Sequence, residues 1–126
     1  MKIILDVDDT ICFTDKSIPY SERKPKPAVI SAIRWYKKQG FEIVFCTGRQ
    51  MRTYKGNVGK IAANTLPVLI EWLNKYGVPY DEIYIGKPWQ EEGGFCVDDS
   101  TVTPEEFVTL TYEQIQEKLA KGRGKK

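Results

Sequence analysis

Ile3-Ile4-Leu5-Asp6-Val7-Asp8-Asp9-Thr10 sets the reading of the whole chain. A short apolar run breaks into three carboxylates and a hydroxyl within five positions. Carboxylates crowded at the end of a buried strand repel one another and lose hydration, so the cluster raises the energy of the fold unless something cationic sits there. A bound metal ion is the obvious candidate.

Three further apolar runs resemble the first: Phe41 to Cys46, Glu82 to Ile85, and Gly94 to Val97. They are nearly continuous rather than alternating, as expected for parallel strands covered on both faces. Helical patterns lie between some of them. Pro27 opens the first, with Val29, Ile30, Ile33 and Tyr36 on one face and Gly40 beyond its end. The second carries Val68, Leu69, Trp72 and Leu73 and closes at Gly77; either Thr65 caps it, or Pro67 kinks a helix that begins near Gly59. Thr103-Pro104-Glu105-Glu106 and Thr111-Tyr112-Glu113-Gln114 read as capping boxes opening two short helices. The alternation predicts an α/β three-layer sandwich on a mainly parallel, Rossmann-like sheet, a single domain over residues 1–120 followed by a disordered basic tail at 121–126.

In such sheets ligands bind beyond the carboxyl ends of the strands. There the sequence places Asp6-Val7-Asp8, then Thr47-Gly48-Arg49, then Gly86-Lys87-Pro88, and finally Asp98-Asp99. Together they offer carboxylates for a hard divalent cation, a hydroxyl and an ammonium for anionic oxygens, and one carboxylate free to act as a nucleophile. This is an inventory for phosphoryl transfer. Mg²⁺ takes few carboxylates and fills its other positions with water and substrate phosphate, so Asp6 with one of Asp98 and Asp99 would suffice.

The 126 residues carry a formal net charge of +2, which argues against a strongly basic nucleic-acid binder. No run approaches the length of a membrane span and nothing resembles a secretory signal, so a cytoplasmic location is expected. Cys12, Cys46 and Cys96 are too widely spaced for a CxxC metal site and suit reduced thiols. The chain has no histidine, which removes Ser-His-Asp and Cys-His catalysis and imidazole-ligated zinc together.

With these motifs the chain resembles the haloacid dehalogenase superfamily of phosphatases. The family's DxDx[T/V] matches Asp6-Val7-Asp8-Asp9-Thr10, its Ser or Thr ending strand two matches Thr47, its Lys matches Lys87, and its acidic fourth motif matches Asp98-Asp99. It is more closely similar to the small capsule or polysaccharide biosynthesis phosphatases through Met51-Arg52-Thr53-Tyr54, Gly56-Asn57-Val58-Gly59-Lys60 and Gly86-Lys87-Pro88-Trp89.

The resemblance implies Asp6 as nucleophile, Asp8 as acid and then base, Thr47 and Lys87 as phosphoryl donors, and Asp6, Asp8, Asp98 and Asp99 as the residues around Mg²⁺. It also implies the strand order 3-2-1-4, in which about eight residues, Gly86 to Gly93, must cross two strands; extended, they reach about 26 Å against about 14 Å sideways plus the return along a strand. With Lys87 only 40 positions after Thr47, no folded cap is expected. A homo-oligomer in which a neighbour helps close the site is therefore expected. Arg49, Arg52, Tyr54 and Trp89 are the candidates for recognising a small phosphorylated metabolite, a sugar phosphate above others.

Two rivals draw on the same residues. Cys46 and Arg52 have the C-x5-R spacing of cysteine-dependent phosphatases, although Thr53-Tyr54-Lys55-Gly56-Asn57 is a poor helix start for a phosphate loop. A Mg²⁺-binding receiver module would also gather acidic residues, a Thr and a Lys, but with its acidic pair first rather than last.

Overall fold

The structure, a computed structural model, describes residues 1–124. These fall into two compact units, one of residues 1–89 and one beginning at residue 90.

The first unit holds a three-stranded parallel sheet in the order β1-β2-β3, with β1 at Lys2–Leu5, β2 at Glu42–Cys46 and β3 at Glu82–Tyr84. The register sets Ile4 opposite Val44 and Phe45 opposite Ile83. Ile43, Val44 and Phe45 are all buried, so the central strand is covered on both faces as its unbroken apolar sequence requires.

Helix α1, Pro27–Lys38, begins with proline in its first turn and buries the expected face, Val29, Ile30, Ile33 and Tyr36. Tyr36 meets Phe41 edge-on at 5.1 Å, which fixes the turn from α1 into β2. Two helices then follow β2. Helix α2, Val58–Asn64, is capped by Asn57, and α3 is Leu66–Lys75 with Pro67 in its first turn. Thr65 between them keeps helical dihedrals, so the break is the kink that a proline lacking an N–H imposes rather than a fresh start.

Asp81 ties the start of β3 to its surroundings. Its carboxylate accepts from Lys37 Nζ at 2.7 Å and from the Ile43 N–H at 2.8 Å, and the Lys37 ammonium holds it below the usual carboxylate range.

The second unit contains α4, Pro104–Thr109, and α5, Tyr112–Gly122, each opened by the capping box its sequence predicts. Phe107 and Ile115 are their buried side chains, and Lys118 pairs with Glu106 at 2.6 Å. Two expectations need correction here. Residues 121–122 continue α5 and Arg123 caps it, so the disordered tail does not begin at 121; Lys125 and Lys126 lie outside the described residues. The strand expected at Gly94–Val97 is also not formed. A tight turn ends there: Gly93 has φ +82, and Gly94 stands so close to the Gln90 carbonyl that a Cβ would lie 2.1 Å from its oxygen. Phe95 and Val97 are left exposed beyond it.

Candidate active site

The chain leaves β1 through a turn in which the Val7 carbonyl accepts from the N–H groups of Thr10, at 3.1 Å, and Ile11, at 2.9 Å. Asp9 takes a left-handed conformation, φ 62, which a short polar side chain tolerates. Its carboxylate accepts from the Thr14 N–H at 3.0 Å and its carbonyl accepts from Lys26 Nζ at 2.6 Å. Asp9 thus builds the turn, leaving Asp6 and Asp8 for other work.

Those two carboxylates have different surroundings. Asp6 is partly open, and its one ion pair among the described residues is with Lys87 Nζ at 3.9 Å. Burial raises its carboxyl above the usual aspartate range, against the opposing pull of the Val7 N–H and the Lys87 charge.

Asp8 is held by two guanidiniums. Arg49 donates from Nε to Oδ2 at 3.2 Å and from Nη2 to Oδ1 at 2.9 Å, while Arg23 Nη1 lies 3.4 Å from Oδ1. The Arg49 side chain is only 2% exposed and that of Arg23 7%. Both guanidiniums pack on the Tyr20 ring, with their carbons 4.3 and 4.4 Å from its centroid. Arg23 is anchored in turn by its Nε on the Ile18 carbonyl at 3.2 Å and by Trp72, whose indole donates to the Arg23 carbonyl at 2.7 Å. Arg49 Nη1 is buried with no hydrogen-bond partner among the described residues.

In this geometry Arg49, expected among the recognition residues, faces Asp8. A partly buried carboxylate at the strand end draws the nearest fork-shaped cation inward, and the side chain is no longer available on the surface.

Thr47 continues β2 and is buried, its hydroxyl oxygen accepting from the Arg49 N–H at 3.0 Å. The Lys87 N–H donates to the Thr47 carbonyl at 3.1 Å, so the loop after β3 is pinned over the end of β2. That closeness requires glycine, because a Cβ on Gly48 would lie 2.9 Å from the Lys87 carbonyl oxygen. The structure therefore brings Asp6, Asp8, Thr47 and Lys87 to one end of the sheet. Arg52 lies over the Trp89 ring at 5.8 Å, which joins two of the four expected recognition residues, and Tyr54 is half-buried nearby in sequence.

Asp98 and Asp99 belong to the second unit. Asp98 accepts from the backbone N–H and hydroxyl of Ser100, both at 3.2 Å, and the backbone bond holds its carboxyl below the usual range. Asp99 pairs with Arg123 Nε at 3.1 Å. Among the described residues no three His, Cys, Asp or Glu side chains gather closely enough to hold a metal ion.

A family model for haloacid dehalogenase-like hydrolases matches residues 3–72, the stretch that carries Asp6, Asp8 and Thr47. The chain belongs to the haloacid dehalogenase-like hydrolases. The crystal structure of a target protein from Vibrio cholerae is 48% identical, with a TM-score of 0.92 over 95% of this chain and 97% of that one. A chain of the Pnkp1/Rnl/Hen1 complex shares the fold at a TM-score of 0.50 and 18% identity, over 86% of this chain and 34% of its own length. No curated protein matches the chain.

For a haloacid dehalogenase-like hydrolase the residues that sequence reasoning passed over are Arg23 and Tyr20. They lie 15 and 12 positions from Asp8, with no local spacing to connect them to it. The one available signal was physical: a carboxylate as enclosed as Asp8 needs cations, and Arg23 is the first arginine in the chain. The cysteine rival loses ground on geometry. Residues 51–56 form turns and α2 starts only at Val58, so no helix N-terminus follows Arg52 to receive a phosphate held by Cys46. No described helix is long and apolar enough to cross a membrane.

Proposed function

We propose that this hydrolase is a Mg²⁺-dependent phosphatase that cleaves a small phosphorylated metabolite, a sugar phosphate above others, through an aspartyl-phosphate on Asp6. The observation that carries the reading is the contrast at the end of β1. Asp6 is a carboxylate with one cation 3.9 Å away, while Asp8, two residues on, is clamped by two guanidiniums.

Asp6 attacks phosphorus as the ester P–O bond breaks. The departing oxygen takes a proton from the Asp8 carboxyl, and the resulting carboxylate then accepts a proton from the water that attacks the phosphoenzyme and frees Asp6. Oδ1 of Asp8 faces both arginines, whereas Oδ2 accepts only from Arg49 Nε. Oδ2 is therefore the atom on which the travelling proton is carried. Lys87 and the Thr47 hydroxyl donate to the phosphoryl oxygens, where charge accumulates.

The donor chemistry fits a hard cation. With no histidine in the chain, Asp6, Asp98 and Asp99 offer only oxygen, which Mg²⁺ takes in preference to softer donors. When bound, Mg²⁺ neutralises phosphate charge and orients it toward Asp6.

Arg52 and Trp89 make a cationic and aromatic surface suited to a sugar phosphate rather than to nucleic acid or a membrane. A place in capsule or polysaccharide biosynthesis, and a cytoplasmic setting, rest on the sequence reading alone.

A panel of phosphorylated metabolites assayed with Mg²⁺ and with EDTA tests the reading. Continuous phosphate release that EDTA abolishes is expected. One equivalent of retained phosphate would instead indicate a receiver-like module, and EDTA-resistant turnover lost in Cys46→Ser would indicate the cysteine mechanism.

A further inference from the structure

The loop that leaves Thr47 for helix α2 is gripped at its root by two successive side chains. Arg49 reaches Asp8, and the next residue, Gln50, reaches the helices: its Oε1 accepts from the hydroxyl of Thr65, at the break between α2 and α3. Thr65 is only 2% exposed, so its hydroxyl has little water to bond instead. A threonine with helical dihedrals often satisfies its hydroxyl on the carbonyl four residues before it. Here the Thr65 N–H keeps its place on the Ile61 carbonyl at 2.8 Å, and the hydroxyl is spent on the loop.

Gln50 is also left-handed, with φ 60, a conformation that a residue other than glycine holds only when its surroundings impose it. The chain closes on itself directly after this reversal. The Gln50 carbonyl accepts from the Tyr54 N–H at 3.0 Å, and the Met51 carbonyl accepts from the Gly56 N–H at 2.9 Å. Lys55 and Gly56, at φ 50 and +76, turn the chain again, and Asn57 ends the loop by capping α2 through the Lys60 N–H at 3.1 Å. Arg52 lies inside these turns, its guanidinium carbon 5.8 Å from the centre of the Trp89 ring. With the loop tied at Gln50 and again at Asn57, the turn at Gln50 sets where Arg52 is delivered.

We propose that Gln50 is a positioning residue for substrate recognition: tied to Thr65, it holds the left-handed turn that brings Arg52 to Trp89. It acts through Arg52 and not on the phosphoryl group. Its bearing on recognition rests on the phosphatase reading; its hold on the loop does not.

Three variants isolate the tie. Thr65→Val removes the hydroxyl and keeps the shape, whereas Thr65→Ser keeps the hydroxyl. Gln50→Asn keeps the tolerance for left-handed backbone but has a side chain one methylene shorter. In hydrogen exchange on the intact chain, the Tyr54 and Gly56 amides should exchange about tenfold faster in Thr65→Val and Gln50→Asn, with β2 amides unchanged and Thr65→Ser like wild type. Unchanged loop exchange in Thr65→Val and Gln50→Asn would overturn the proposal.

Kinetics place the tie in recognition. Gln50→Asn should lower kcat/KM about tenfold on the sugar phosphate that the wild type prefers, through KM, and change an aryl phosphate by less than about twofold. In an Arg52→Ala background the same substitution should cost nothing further, because residues that act as a unit are not additive. Equal losses on both substrates, or a full further loss in the Arg52→Ala background, would overturn the proposal. A wild type inactive on every substrate would sink the phosphatase reading and the recognition role with it, while hydrogen exchange would still decide whether Gln50 holds the loop.

Discussion

Asp6 and Asp8 leave the same strand two residues apart, and the fold treats them as opposites. Asp8 is enclosed by Arg49, Arg23 and the Tyr20 ring they share, a setting that fixes its rotamer and dictates which oxygen stays accessible. Asp6 has no such clamp; it is desolvated enough for its carboxyl to hold its proton more tightly, and its cation stands 3.9 Å off. An oxygen that must form and break a bond to phosphorus cannot be tied down, while one that must hand a proton over at a fixed place gains from being tied. On the proposed mechanism the two carboxylates of DxD take two different jobs, and the neighbours that each acquires suit that division.

The largest expected effect breaks the comparison at Asp6. Asp6→Asn should lose about four orders of magnitude or more in kcat with the fold intact, because the amide is isosteric but a poor nucleophile. Asp8→Asn should lose about two to four orders, and least on substrates whose leaving group departs without a proton. Steady-state kinetics on a sugar phosphate and an activated aryl phosphate separate the two; equal losses on both substrates for Asp8→Asn would remove it from proton transfer.

Arg49 comes next. Arg49→Ala leaves Asp8 with Arg23 alone and opens a buried space, and should cost about 2–4 kcal/mol in denaturant unfolding. Arg49→Lys keeps the charge but not the two-pronged contact, so it should recover stability and lose kcat by about tenfold. Full kcat in Arg49→Lys would show that Asp8 needs only a nearby charge.

Arg52→Ala should lower kcat/KM for the true substrate by about tenfold, or about 1.4 kcal/mol, and leave a generic aryl phosphate nearly unchanged. Equal losses would place Arg52 at the transferring phosphoryl group.

The smallest effect concerns Cys12, whose Sγ lies 3.7 Å from Asp8 Oδ1 and whose thiol burial pushes up to about 11, with the Asp8 charge adding to the shift. At pH 8 it remains protonated, so iodoacetamide should label exposed Cys96 and spare Cys12. Rapid labelling of Cys12 in the native protein would show that the Asp8 side of the strand end is far more open than its packing indicates.

What the sequence disclosed follows the range over which each signal acts. The capping boxes at Thr103 and Thr111 are four-residue patterns and are present as written, and the apolar face of α1 is a repeat within one helix. Thr47 and Lys87 were legible because the ends of parallel strands share an edge. Arg23 and Tyr20 were not, because their approach to Asp8 depends on how the loop before α1 folds back. Arg49 was noticed for its charge, but its pairing with Asp8 was not legible, since its place beside Thr47 fixes where it starts and not where it points. The Gly94–Val97 run has the apolar content of a strand, and that content does not disclose the turn through Gly93 and Gly94 with which it begins.

The proposed mechanism requires a carboxylate oxygen of Asp6 to attack phosphorus. Acid quenching during turnover, reduction with borohydride and peptide mass spectrometry would convert an aspartyl-phosphate to homoserine at the modified position. The prediction is homoserine at position 6, dependent on substrate. An unmodified Asp6 accompanied by homoserine at another aspartate, or by phosphocysteine at Cys46, would contradict it.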